Sequence, residues 1–452
     1  MKKIINAVFL SLMLMSVANA MELNSCQDIT EPGEYILLND VSSDGTCFSI
    51  TVDDVILDGN GYTIRYDLSG DSTHNDRHYG VSVIGKNIVI KNVRIIDGTE
   101  TGSVGVGIYG SLIDSVIANN YVETNGETAG YGIYANLYNV TISENTFIAK
   151  GTGKGNLGLR ISGGRDNTII NNRIDTYGTN NNTGIYLEYS PGNFVENNIV
   201  NTHGTEYYNF GIASWGSKAN DNTIRGNTVS TQGEDHSNYG IYLLSANNNL
   251  VEDNIVSTGI ESSGRNNNGI RFYYGGSHII RNNIISTDGE GGNHGMVVQH
   301  ASYNFFEQNT INTNGTSNSN HGIYILGGST ENSIIENSIT TGGTSYGAGV
   351  VFNTSGNNIV ERNTILTTGT WGGGMGVSVH SGQDEMGDGN IIRDNSISTT
   401  GTYGGSTGIN VGGYAKGTII EGNTVEVEHG VYSGHGVHIQ AYENFITNND
   451  IK

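Results

Sequence analysis

A short segment of the form Gly-Ile-Tyr recurs along the whole chain at intervals of 25 to 32 residues. Apolar residues occupy the first and third positions after its glycine, as in Ile185 and Leu187, and alternation at period two indicates a strand with one buried face. A fixed period of this length restricts the chain to repeat architectures. The fourteen glycines are Gly80, Gly107, Gly132, Gly158, Gly184, Gly211, Gly240, Gly269, Gly295, Gly322, Gly349, Gly376, Gly408 and Gly436.

A second pattern, apolar-x-x-Asn-x-apolar, recurs with the same period. Asparagine side chains at one turn of each repeat can bond to the backbone and to the asparagines above and below. We therefore predict a structural ladder rather than a functional site. Its members are Asn120, Asn145, Asn172, Asn198, Asn227, Asn254, Asn283, Asn309, Asn337, Asn363, Asn395, Asn423 and Asn449.

The segments between the repeated strands contain no helical pattern, so helices cannot connect them. A repeat of two or three short strands and polar turns stacks as one coil on its neighbour, which predicts an all-β parallel solenoid. Each coil advances by one inter-strand spacing of roughly 4.8 Å, so about fourteen coils make a rod of about 65 Å. Such a rod needs only a thin apolar column, in keeping with a hydrophobic content of 35%.

Residues 1–20 are typical of a secretory signal peptide. Lys2-Lys3 precedes an apolar run that ends near Ala18-Asn19-Ala20, an A-x-A cleavage pattern. We expect a chain that is secreted, held at the cell surface or released into the periplasm, without a transmembrane helix after cleavage. Residues 21–78 are predicted to form an N-terminal cap and opening coil, and residues 79–452 the repeats.

Cys26 and Cys47 are the two cysteines of the chain. In an exported protein they predict a disulfide, which contributes roughly 3 kcal/mol for a loop of this size. A net charge of −23 argues against nucleic acid as a partner, because phosphate binding needs basic patches. It favours loose binding of cations such as Ca²⁺, and no firmly bound cofactor is predicted. His294 and His321 occupy equivalent positions in adjacent coils and should be in contact, but two histidines without a third ligand predict no metal site.

The Gly-Ile-Tyr and Asn-x-Ile repeats resemble the right-handed parallel β-helix repeats of the pectin-lyase-like superfamily, in its NosD-like branch. The N-terminal segment, with Cys26, Pro32-Gly33-Glu34-Tyr35, Cys47 and Leu57-Asp58-Gly59-Asn60-Gly61, resembles one found in β-helix surface proteins of archaea and bacteria. The resemblance implies a right-handed β-helix with an N-terminal cap. The superfamily includes lyases, hydrolases, epimerases, tailspikes and non-enzymatic surface proteins, so it implies no single activity.

Residues two and four positions after each glycine are expected to point outward and to align as stripes. Tyrosine and tryptophan can stack on sugar rings, and arginine can hold a uronate carboxylate, so a polysaccharide laid along this face is one interpretation. A tyrosine ladder that only stabilises stacked strands is the other. The candidate binding residues are Tyr109, Tyr134, Arg160, Tyr186, Glu188, Trp215, Tyr242, Arg271, Tyr273, Gln299 and Tyr324.

An enzymatic function has weaker support in the sequence. Glycoside hydrolysis needs two spaced carboxylates, whereas the outward stripe offers Glu188 without an aligned second acid. A lyase could combine Arg160 or Arg271 with Tyr273 or His300 as the base. We therefore expect a secreted or cell-surface scaffold or adhesin that binds extracellular polysaccharide. The alternatives are a polysaccharide lyase, hydrolase or epimerase, and a purely structural envelope or spike component.

The last coil ends at Lys452, directly after Asn449-x-Ile451. Solenoids normally end in a polar cap, and the sequence shows none here. Either a further segment or another chain is expected to cover this coil.

Overall fold

The chain winds into a parallel β-solenoid, seen in a computed structural model that describes residues 20–70, 77–98, 104–259, 264–317, 319–344, 346–370, 374–382, 387–403, 405–429 and 434–452. The predicted signal peptide lies outside the described residues except for Ala20. The described part contains strands and turns and no helix. No segment of that part forms a helix with the length and apolarity needed to cross a membrane.

Each coil contributes one strand to each of three sheets, here called sheets 1, 2 and 3 in their order along a coil. Sheet 1 contains Gln27–Ile29, Phe48–Ile50, Tyr79–Lys86, Val106–Ile113, Tyr131–Tyr138, Leu157–Ser162, Thr183–Glu188, Phe210–Trp215, Tyr239–Asn247, Asn268–Gly276, Met296–Ser302, His321–Leu326, Ala348–Asn353, Met375–Ser381, Thr407–Gly413 and His435–Ile439. Sheet 2 contains Met21–Leu23, Gly33–Leu37, Val55–Asp58, Val89–Lys91, Val116–Ala118, Thr141–Ser143, Thr168–Ile170, Phe194–Glu196, Thr223–Arg225, Leu250–Glu252, Ile279–Arg281, Phe305–Glu307, Ser333–Ile335, Ile359–Glu361, Ile391–Arg393, Ile419–Glu421 and Phe445–Thr447. Sheet 3 contains Val41–Ser42, Thr63–Tyr66, Arg94–Asp97, Tyr121–Thr124, Thr146–Ala149, Arg173–Gly178, Ile199–Gly204, Thr228–Gln232, Ile255–Thr258, Ile284–Gly289, Thr310–Gly315, Ser338–Gly342, Thr364–Gly369, Ser396–Gly401, Thr424–His429 and Asp450–Ile451.

Equivalent strands of successive coils pair in parallel and in register. Thr183–Glu188 pairs with Phe210–Trp215, for example, and aligns Ile185 with Ile212 and Tyr186 with Ala213. The fourteen repeated glycines all lie in or directly before strands of sheet 1, so the solenoid has the fourteen repeat coils predicted from the sequence. Strands from residues 21–66 continue the same three sheets ahead of them.

The hydrophobic core is a column of alternating side chains from the three sheets. Ile185, Leu187, Val195 and Val200 of one coil are each fully buried, and equivalent residues stack on them along the rod. The repeated glycine stands where the chain enters sheet 1. A Cβ built on Gly184 would overlap Cγ1 of Val200 and the carbonyl oxygen of the next repeated glycine. The glycine is therefore required by close packing at this corner.

The predicted asparagine ladder runs inside the turn between sheets 2 and 3. Asn254 is typical: its Nδ2 donates to Asn283 Oδ1 at 2.9 Å, and its Oδ1 accepts from Asn227 Nδ2 at 3.0 Å. The interpretation as a structural ladder is confirmed, because these amides are buried and bonded to one another along the rod.

Two further asparagine ladders occupy the other turns and escaped the sequence analysis. One contains Asn167, Asn193, Asn222, Asn249, Asn304, Asn332, Asn358 and Asn390, with His278 in place of one asparagine. The other contains Asn182, Asn209, Asn238 and Asn267, whose side-chain amides are joined by hydrogen bonds of 2.8–3.0 Å. The sequence signal of the former is an asparagine five residues before most asparagines of the first ladder. That of the latter is an N-x-G pattern that ends at the repeated glycine.

The N-terminal strands contain the disulfide predicted from the sequence. Cys26 and Cys47 are bonded, with their Cα atoms 4.6 Å apart. The bond ties the region before Gln27–Ile29 to the region before Phe48–Ile50, two neighbouring strands of sheet 1.

Candidate functional site

The outward side of sheet 1 carries three rows of side chains rather than the two predicted. Alternation alone would place the residue before each glycine opposite the residue two positions after it. In the structure they share a face: the ring centroids of Tyr239 and Tyr242 are 5.3 Å apart, as are those of His321 and Tyr324. The register of paired strands passes over the glycine, which breaks the alternation and adds the residue before it as a third outward row.

Aromatic rings of these rows form two contiguous clusters along the face. The N-terminal cluster stacks Tyr79 on Tyr109 at 4.5 Å and continues from Tyr109 to Tyr134 at 5.7 Å. The Arg160 guanidinium lies 4.6 Å from the Tyr134 ring centroid and donates to Glu188 at 2.9 Å. This half of the face is therefore filled by its own side chains, with its arginine already paired.

The second cluster forms the floor of a cleft with a volume of ≈ 710 Å³. Phe210 stacks on Tyr239 at 5.3 Å, and Tyr242 meets Trp215 edge-on at 5.8 Å. The floor of the cleft, formed by strands of sheet 1, extends over five consecutive coils, a length of about 19 Å, and Asn181 of the preceding coil joins the lining. The lining residues are Asn181, Tyr208, Phe210, Trp215, Ser237, Tyr239, Tyr242, Asn266, Asn268, Arg271, Tyr273, His294, Val297, Gln299, Tyr324 and Leu326.

One wall of the cleft is a row of turn residues in the left-handed conformation. Asn181, Tyr208, Ser237 and Asn266 each have φ between 53° and 67°, and backbone bonds link the turns from coil to coil, as from Ser237 N to Arg265 O at 3.0 Å. The turns pack in register like the strands, so the wall is a regular ridge.

The described lining of the cleft contains one guanidinium and no carboxylate, in a chain of net charge −23. Arg271 lies between the Tyr239 and Tyr273 rings, with centroid distances of 5.2 and 5.8 Å, and its Nη2 donates to Gln299 Oε1 at 2.7 Å. Tyrosine rings and a glutamine thus hold the cation in place without neutralising it. Burial raises the pKa of Tyr242 to about 12, so this hydroxyl is neutral and can both donate and accept.

The predicted contact between His294 and His321 is confirmed. Their rings are stacked with centroids 5.0 Å apart, and the His321 backbone N–H donates to His294 Nδ1 at 3.1 Å. That bond places the proton of neutral His294 on Nε2. Burial lowers the pKa of both rings, to about 4 for His321, so at neutral pH the pair is uncharged.

The predicted site residues divide between the two halves of the face. Trp215, Tyr242, Arg271, Tyr273, Gln299 and Tyr324 line the cleft, whereas Tyr109, Tyr134, Arg160, Tyr186 and Glu188 lie in or beside the N-terminal cluster. His300 is not in the cleft lining: it is an exposed residue of the strand Met296–Ser302, where its Nδ1 is 2.5 Å from Gly327 O and its ring stacks on Tyr274. Sequence analysis missed Phe210, Tyr239, Asn268 and the turn wall. An aromatic residue directly before the repeated glycine was the visible signal for Phe210 and Tyr239.

No group of three or more histidine, cysteine or acidic residues that could hold a metal ion occurs in the part of the chain that the structure describes. The chain's two cysteines form the disulfide.

Two family descriptions match parts of the sequence. "Right handed beta helix region" matches residues 36–229, and "Periplasmic copper-binding protein (NosD)" matches residues 180–367. No curated protein matches the sequence. The described residues do not fit a resident copper site, because Met296 is buried in the core and the paired histidines lack a third ligand.

Solved β-helix structures align with most of the chain at low sequence identity. The A-module of the mannuronan C-5 epimerase AlgE6 from Azotobacter vinelandii is 14% identical, covers 93% of this chain and 91% of its own, and has a TM-score of 0.43. A tailspike protein of the E. coli bacteriophage HK620 is 10% identical over 76% and 65% of the two chains, with a TM-score of 0.45. PfbA, a surface adhesin of Streptococcus pneumoniae, is 11% identical over 80% and 84%, with a TM-score of 0.42.

The sequence repeat, the three parallel sheets and the two family matches lead to one assignment. The chain is a right-handed parallel β-helix repeat protein of the pectin-lyase-like type.

Proposed function

We propose that this protein is a secreted or cell-surface scaffold that binds a polysaccharide in the cleft of sheet 1. The observation that carries the proposal is the aromatic cleft floor, which combines Phe210, Trp215, Tyr239 and Tyr242 with a single held guanidinium from Arg271. A sugar ring also has an apolar face with polar edges, so it can stack on these aromatic rings.

The shape of the cleft supports an extended ligand rather than a compact one. Its floor follows the rod axis over five coils, a length of about 19 Å that matches about four sugar units. Amide groups from Asn181, Asn266 and Asn268 and the Gln299 side chain stand along it. These groups can bond to hydroxyls, whereas Arg271 can bind a hydroxyl or an acidic sugar substituent.

The lack of acids in the described cleft favours binding over hydrolysis. Glycoside hydrolysis uses two carboxyl groups that flank the bond to be broken, and the lining residues include none. Glu188 is paired with Arg160. A lyase or epimerase is the second candidate, because Arg271 and Tyr273 lie together in the cleft and could bind a uronate carboxylate and remove the adjacent proton.

Export of the chain is part of the same proposal. The leader pattern of residues 1–20 and the disulfide between Cys26 and Cys47 both support an oxidising compartment outside the cytoplasm. A role without any ligand, as a structural rod of the cell envelope, is the competing interpretation.

The test measures the affinity of the chain for a panel of neutral and acidic polysaccharides, with and without Ca²⁺. Trp215→Ala should weaken binding about tenfold, because tryptophan anchors typically lose about 1–2 kcal/mol when truncated. Tyr442→Ala is the control, since Tyr442 is 66% exposed in the last coil, far along the chain from the cleft.

Equal affinities of the Trp215 variant and the parent chain would refute the cleft as the binding site. Unsaturated uronate ends in the same incubations, lost in Arg271→Ala, would instead establish the lyase. If no polysaccharide of the panel binds, the proposed binding function is refuted in favour of the structural rod.

A further inference from the structure

A second, smaller groove lies on the outward side of sheet 3, next to the cleft. Its volume is ≈ 400 Å³. We call it the side groove. Its lining consists of Lys150, Gly151, Thr152, Tyr177, Gly178, His203, Gly204, Thr205 and Gln232. These residues stand at the ends of successive sheet 3 strands, where the chain turns toward sheet 1.

The side groove contains a pair of stacked aromatic rings, here called the platform. Tyr177 stacks on His203 with centroids 4.8 Å apart and an interplanar angle of 13°. His203 Nδ1 lies 3.1 Å from Gln232 Oε1, which fixes the orientation of the imidazole. The Tyr177 side chain remains 41% exposed, so the platform is open to solvent. The exposed part of the Tyr177 ring is an apolar surface with a polar hydroxyl at its edge, the same chemistry as the rings of the cleft floor.

The side groove and the cleft are separated by one turn of chain. Thr205 lines the side groove and Tyr208 lines the cleft, so residues 205–208 form the whole width of the ridge between them. Three Cα steps span at most about 11 Å. Backbone bonds from Thr205 N to Gly178 O and from Glu206 N to Thr179 O hold this turn against the preceding coil.

The ridge itself carries aromatic rings. The Tyr207 ring stacks on His236 at 5.4 Å and meets the Tyr208 ring at 5.1 Å. Aromatic side chains are therefore present in the side groove, on the ridge and at the cleft wall.

The charges of the side groove differ from those of the cleft. Lys150 is paired with Glu123 at 2.9 Å, and on the ridge Glu206 accepts from Asn180 at 2.7 Å. The described lining of the side groove therefore has no unpaired cationic side chain that could bind an anion, because Lys150 is already paired with Glu123. In the cleft, by contrast, Arg271 is bonded to an uncharged glutamine. The segment that the side groove suits is an uncharged run of sugar units.

We infer that the side groove is a second glycan subsite and that one polysaccharide chain crosses the ridge to occupy both sites. This inference rests on the proposed function of the cleft. Once the cleft holds part of the chain, the attached sugar units reach the side groove at a high effective concentration. The chain should therefore bind long glycans more tightly than short ones that fill only the cleft.

The test uses an uncharged sugar, as the side groove requires, and compares cello-oligosaccharide fractions of about four and about twelve units, the shorter matched to the cleft. In the parent chain the longer fraction should bind at least fivefold more tightly. Tyr177→Ala should remove most of this gain and leave the affinity for the shorter fraction unchanged. Trp215→Ala should weaken both fractions, and Tyr442→Ala should change neither.

The outcomes separate the two proposals. A length gain that persists in Tyr177→Ala, or no length gain in the parent chain, overturns the second subsite while the cleft remains supported by the effect of Trp215→Ala. Failure of the Trp215 variant to weaken binding overturns the cleft and, with it, the crossing.

Discussion

Replacement of Asn254 by alanine should test whether the asparagine ladder holds the rod together. The Asn254 side chain takes part in four hydrogen bonds. Its Nδ2 donates to Ile224 O and to Asn283 Oδ1, both at 2.9 Å, and its Oδ1 accepts from the Asn227 backbone N–H at 2.9 Å and from Asn227 Nδ2 at 3.0 Å. The residue is fully buried, so water cannot replace these partners without a rearrangement.

The cost follows from these contacts. Four bonds at about 1 kcal/mol each give a loss of about 4 kcal/mol. The largest part of this loss comes from the Asn227 backbone N–H, because its acceptor, Asn254 Oδ1, would be removed. Asn227 Nδ2, by contrast, keeps its bond to Val195 O. In a solenoid each coil contacts only its neighbours, so the loss should be concentrated in the coils around residue 254.

Urea unfolding followed by circular dichroism would give the overall loss, and hydrogen exchange would show its location. We expect faster amide exchange in Thr223–Arg225, Leu250–Glu252 and Ile279–Arg281, with coils near the N-terminus unchanged. Asn312→Ala is the matched control, because Asn312 lies exposed on the outward side of sheet 3. An Asn254 variant within about 1 kcal/mol of the parent chain would refute the reasoning, since it would make the ladder bonds nearly neutral.

Two further predictions concern acid stability and the disulfide. Burial lowers the pKa of His278 from 6.5 to about 3 and that of His321 to about 4. The unfolded chain therefore takes up protons first, and the free energy of unfolding should fall as the pH drops from 6.5 toward 4. His278→Asn should make the free energy of unfolding less dependent on pH, as measured by urea titrations at several pH values. An unchanged pH dependence would contradict the lowered pKa of His278. Replacing Cys26 and Cys47 by serine should cost about 3 kcal/mol, measured as a lower unfolding midpoint. Equal midpoints of the serine variant and the parent chain would show that the disulfide does not stabilise the fold.

The sequence predicted the fold because the fold repeats. Alternation after each glycine defined the inward residues, and the period defined the coils, so the parallel solenoid and the first asparagine ladder both followed. The second ladder was harder to see because His278 interrupts it. The contact between His294 and His321 could be predicted for the same reason as the ladder, since equivalent positions in adjacent coils are neighbours.

The candidate site was predicted in part. Six of the proposed residues, from Trp215 to Tyr324, line the cleft. The other proposed residues, near Tyr109, lie in the half of the face that is occupied by stacked aromatic rings of the chain itself. His300 was expected beside the ligand and instead lies outside the cleft lining, on an exposed part of its strand against Gly327. Local alternation assigned residues to a face, but it could not tell which part of that face stays open.

The amino-acid sequence by itself determined the repeat, the inward column, the first ladder and the cysteine pair, because each depends on spacing along one chain. Only the tertiary structure decided where the cleft opens and that a side groove adjoins it. Both features depend on how the turns from Asn181 to Asn266 stack beside sheet 1. The glycine corner also had to be seen in three dimensions. Gly184 packs closely against Val200 there, and the strand register passes over the repeated glycine, so that a third row of side chains faces outward.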